Sequence, residues 1–233
     1  MHFSFPIRYA DSALSETTQQ TQFGLLIGDR SQLDSLVINI ELTLTSIIQG
    51  VALSFLCETT TASLGHGRIQ DLLYVANGLL LIFLFWSRSV GHTLTLIRWP
   101  LDFVHSFFYF GAAFLEAVSF GLIGNPLAWY STLAGFALVV WLLFILDLRL
   151  FRRAAASNQE KTKRLFELLN RDQFLNIAWL VPGFVLFHVC AAWVSATWPA
   201  THLVLAGVQF VLFAIYLVYF LRTMRLAFEL MEP

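Results

Sequence analysis

Six apolar runs dominate this chain, near residues 36–56, 72–97, 101–123, 127–150, 174–198 and 202–223. Each approaches or exceeds the roughly 20 residues that a helix needs to cross the hydrocarbon core of a bilayer. In lipid a backbone amide can be satisfied only within its own helix or a closed barrel, so runs of this length fold as spanning helices. Charged residues are 12% of the sequence, about half their usual share in soluble domains. The expected fold is therefore all-α: a polytopic integral membrane protein with six transmembrane helices. Residues 1–34, rich in Ser, Thr and Gln around Asp11–Gln22, read as a cytoplasmic N-terminal tail, and 35–226 as the membrane domain.

The connections follow from local chemistry. Arg98-Trp99-Pro100 predicts a hairpin between the second and third spans, and Gly124-Asn125-Pro126 a tight turn between the third and fourth. Glu58–Gln70 reads as a Thr- and Gly-rich loop, and Pro182-Gly183 predicts a kink in the fifth span. An amphipathic helix is expected near 157–171, with Glu160–Arg164 and Glu167–Arg171 at i, i+4 spacing. Its apolar side, Leu165, Phe166, Leu168 and Leu169, is expected to rest on the inner leaflet. Trp99, Trp129, Tyr130 and Trp198 stand near span ends, where aromatic belts form.

Charge sets the expected orientation. Of 14 Lys and Arg residues, only Arg68 falls on one side of a six-span arrangement, and Arg88 lies within a span. All others share the opposite side. The positive-inside rule makes that side, with both termini, cytoplasmic. The expected location is a bacterial inner membrane.

Polar residues inside spans carry the functional reading, because each charge there costs about 2.5–3.5 kcal/mol on insertion scales. On the third span His105, Tyr109, Ala112, Glu116 and Ser119 share one face, since offsets of four, seven and eleven return to the same side of a helix. Gln49, His188 and Gln209 match Glu116 in depth, and His188 is expected to be its partner. Glu41 and Arg88 also match in depth and are expected to form a structural ion pair. The fourth span is apolar nearly all round until Asp147, which predicts the most lipid-exposed helix.

Three functions fit this pattern. The first is an oligomeric channel or ion-translocating protein, its ion or proton pathway lined by Glu116, His188, Gln49, Gln209, His105 and Tyr109. Small-residue spacings at Ala113–Ala117, Ala191–Ser195 and Ala192–Ala196 would serve its subunit contacts. The second is a non-catalytic anchoring or scaffold subunit with a membrane-complex partner. A distant third is a b-type haem protein with His92 and His105 as axial ligands, on the strength of their equal depth. Otherwise no cofactor is expected. Two cysteines at remote positions give no metal spacing. H-E-x-x-H, Walker and G-x-S-x-G signatures are absent, which argues against those enzyme classes. The net charge of -1 gives nucleic acid no electrostatic handle. In architecture the six-span order, with polar groups on the first helix and Trp86 on the second, resembles potassium channels whose subunit carries Phe-Ser-Asp in its first helix. Arg30 and Asp34-Ser35 stand near the corresponding place, the motif itself is absent, and no residue role is carried over.

Overall fold

The computed structural model describes residues 39–40, 42–95, 103–155 and 161–231, and among these the chain is helical with short turns and no strand. The helices are α1 (Leu42–Gly65), α2 (Leu72–Thr95), α3 (Phe103–Gly121), α4 (Pro126–Ala155), α5 (Lys161–Leu175), α6 (Val181–Thr197) and α7 (His202–Met231). A π turn, Asn176–Leu180, joins α5 to α6, so the two run as one rod. Five helical segments are long and apolar enough to cross a membrane, the signature of an integral membrane protein. The 19-residue α3, which carries Glu116, is not among the five.

α1 continues beyond the expected end at Leu56, through residues whose hydroxyls find partners inside the helix. Thr60 and Thr61 fold their hydroxyls onto the carbonyls of Leu56 and Cys57, at 2.6 and 2.9 Å. Each thereby satisfies itself without leaving the helix. The expected loop from Glu58 shrinks to a turn at 66–71, where Gly67 takes φ +70°, a conformation that glycine adopts without strain. The expected turn before α4 is present. Gly124 has φ +95°, Asn125 Oδ1 accepts from the Ala128 amide at 3.2 Å, and Pro126 opens the helix. The connection at 96–102, with Trp99 and Pro100, lies outside the described residues.

Proline 182 shapes the α5–α6 rod. It lacks the amide hydrogen that would bond one turn back, and the widened π turn stands just before it. Trp141 of α4 donates its indole N–H to the Ile177 carbonyl at 2.8 Å, five residues before the proline and therefore spared by it. The predicted irregularity thus appears as a π turn with a side chain from a neighbouring helix serving one freed acceptor.

The bundle is centred on α4, which packs most extensively against α6 and α3, while α2 packs on α7. This corrects the expectation that α4 faces lipid most. Over an 18-residue apolar stretch of each helix, buried residues are 28% in α4 and 39% in α2, against 22% in each of the other three. Uniform apolarity suits a helix surrounded by apolar neighbours as well as one surrounded by lipid. Trp129 and Tyr130 are also reassigned. Both have 0% exposure and fill the core beside Tyr74 and Phe120, whereas Trp198 is 58% exposed. The expected subunit contacts change too, because Ala113, Ala191, Ala192 and Ser195 are buried within this one chain.

A second, smaller core joins α5 to the far end of α7, with Leu169, Phe220, Met224 and Ala227 buried together. Leu165, Phe166 and Leu168 pack on it. The apolar side of α5 is therefore occupied by protein instead of headgroups.

Candidate functional site

Buried polar side chains form separate systems inside the bundle. The first is built on α3, whose polar face turns inward as its spacing implies: Tyr109, Ala112, Glu116 and Ser119 are all buried. Gln49 of α1 donates its amide to Glu116 Oε2 at 3.0 Å, and the Ser119 hydroxyl donates to the Glu116 backbone carbonyl at 2.6 Å. Glu116 Oε1, Gln49 Oε1 and the Tyr109 hydroxyl are buried without a hydrogen-bond partner among the described residues. Thr45, Ser89 and Gln49 surround the Tyr109 hydroxyl but do not meet it in hydrogen-bonding geometry. Phe85 stacks on the Tyr109 ring at 5.0 Å. One turn below, His105 Nε2 lies 3.1 Å from Asp147 Oδ1 of α4.

The second system takes up the residues expected to join Glu116. Trp129 can only donate, and its indole reaches Gln209 Oε1 at 3.2 Å. That bond turns the Gln209 amide nitrogen toward His188 Nε2, also 3.2 Å away. His188 Nε2 must then accept, so Nδ1 carries the hydrogen and donates to the Phe184 carbonyl at 2.7 Å. The expected layer of Glu116, Gln49, His188 and Gln209 is thus divided. Depth matched all four, but α1 meets α3 while α6 meets α7 and α4, and depth alone cannot say which helices touch.

The third system holds the buried cation. Arg88 of α2 is bonded to Asp172 of α5. Asp172 Oδ1 also accepts from the Tyr219 hydroxyl at 2.6 Å and the Asn176 amide at 3.2 Å, and Tyr216 donates to Asn176 Oδ1 at 2.7 Å. The Arg88 guanidinium lies over the rings of Phe144 and Phe220, at 4.4 and 5.4 Å from their centroids. Its expected partner Glu41 lies outside the described residues, as does the side chain of His92. Sequence reasoning missed Asp172 because hydropathy places it in a cytoplasmic loop, before the fifth apolar run begins. Its one signal was the i, i+4 pair with Asn176 facing two tyrosines on α7.

Between the second and third systems lies a cavity of about 80 Å³, walled by Phe85, Phe136, Phe144, Phe184 and Phe213 among others. Its lining is almost wholly apolar and includes Arg88 and His188. Among the described residues no group of three or more His, Cys, Asp or Glu side chains could hold a metal ion. Comparisons with protein-family models, with curated proteins and with solved structures found no match.

Proposed function

We propose that this chain is a six-span membrane protein with cytoplasmic termini that translocates protons or a small cation, with Glu116 as the intramembrane carrier. One observation carries the reading. Glu116 has 0% exposure and one side-chain hydrogen bond, and its Oε1, Gln49 Oε1 and the Tyr109 hydroxyl have no hydrogen-bond partner among the described residues. A buried, unpaired carboxylate costs several kcal/mol, so the group holds a proton or takes a cation. Arg88, by contrast, already has its counter-ion. Tyr109 and the His105–Asp147 pair continue the polar face from Glu116 toward the charged side of the chain. These groups line a path within a single chain.

Flux tests this directly. Purified protein in liposomes, under a proton or alkali-cation gradient, is expected to dissipate that gradient. Glu116→Gln keeps the shape and the Gln49 bond but removes the titrating group, and should abolish flux with little change in thermal unfolding. Wild-type protein silent under every such gradient would sink the proposal. A stoichiometric partner found with that silent protein in native membranes would favour the anchoring-subunit reading, for which the saturated Arg88–Asp172 network is a fitting structural clamp.

A further inference from the structure

We propose that the pocket at the end of the bundle opposite α5 binds a small organic carboxylate, its oxygens on the Arg68 guanidinium. Three turns converge there to enclose about 430 Å³, within the usual 300–1,000 Å³ for small-molecule sites. The site is separate from the Glu116 system and stands whether or not that system conducts.

The ligand class follows from what faces the pocket. The Arg68 side chain is 42% exposed and that of Asp71 only 5%, although the two lie 3.3 Å apart. Asp71 Oδ2 also accepts from the Ser63 hydroxyl at 2.8 Å, and Arg68 Nη2 donates to that same hydroxyl at 3.2 Å. Asp71 also lines the pocket, but of the pair it is the cation that is the more exposed. Glycine at 124 lets the guanidinium lie against the backbone, for a Cβ there would stand 2.8 Å from Arg68 Nη1. A cation held this way is preorganised for an oxyanion. The rest of the wall is mixed: Leu127, Pro199 and Ala196 are apolar, and the half-buried His202 ring contributes a flat edge. An inorganic anion would use the guanidinium and leave these surfaces wet. A carboxylate on a small apolar body uses both.

Calorimetric titration of the purified full-length protein with sodium benzoate, benzamide and inorganic phosphate provides the test. Benzoate is expected to bind saturably and about tenfold or more tighter than its uncharged isostere benzamide. Arg68→Gln should remove that preference and leave benzamide binding unchanged. Leu127→Trp fills the pocket from a residue that is 47% exposed, so it should block benzoate without altering thermal unfolding, which keeps the test informative if Arg68→Gln fails to fold. Equal binding of benzoate and benzamide, or benzoate binding that survives Leu127→Trp, would overturn the proposal. So would phosphate binding as tight as benzoate, which marks a bare-anion site.

Discussion

Breaking the Arg88–Asp172 pair from its two sides should not cost the same. Asp172→Asn leaves a guanidinium in the bundle with no counter-ion among the described residues. Its Nε and Nη1 have no hydrogen bond among the described residues, and a neutral amide oxygen, the hydroxyls of Tyr216 and Tyr219 and the rings of Phe144 and Phe220 must then hold the charge. Removing one partner of a buried pair costs about 3–5 kcal/mol, and this case belongs at the upper end. Arg88→Gln leaves a carboxylate that still accepts from Tyr219 and Asn176. Hydrogen bonds to a charged group contribute about 1.5–3 kcal/mol each, so the loss should be smaller, about 2–3 kcal/mol. The double variant Arg88→Gln/Asp172→Asn buries no net charge and should be more stable than Asp172→Asn alone. Reversible unfolding in mixed detergent micelles, followed by tryptophan fluorescence, gives all three values. Equal losses from the two single variants, or additive losses in the double variant, would refute the asymmetry.

Other expectations are narrower. Gly124→Ala should destabilise the protein by about 1–3 kcal/mol, because the new Cβ meets both an unfavourable φ and the Arg68 guanidinium; thermal unfolding measures it. Trp129→Phe leaves Gln209 Oε1 buried and unsatisfied, which should cost about 1–3 kcal/mol beyond the lost packing. The further substitution Gln209→Leu should fail to recover that loss, since it strands His188 Nε2 in turn. Trp141→Phe should lower stability by about 1 kcal/mol by stranding the Ile177 carbonyl, and the loss should shrink when Pro182 is replaced by Ala.

The helices were legible from the chain because lipid leaves an apolar run few alternatives. The inward face of α3 was legible too: four residues at helical offsets bury together as their spacing implies. Neighbour relations were not. His188 and Gln49 share a depth with Glu116, yet only Gln49 is on a helix that reaches it. Hydropathy misled twice in the same way, since it reports the character of a side chain and not what covers it. It set α4 toward lipid, and it set Asp172 in a loop although that residue is 3% exposed. The pocket at Arg68 was also invisible, because Arg68, Gly124 and His202 come from three separate turns.

The rod formed by α5 and α6 has a mechanical consequence. Asp172 stands one turn before the π segment and grips Arg88, which in turn forms part of the wall of the central cavity. The π turn, with its loosened hydrogen-bond ladder, is the point on this rod where bending is cheapest. A displacement of α5 would therefore reach the wall of that cavity through an ion pair. A bend at Asn176–Leu180 would shift Asp172, and with it the guanidinium it holds, relative to α6.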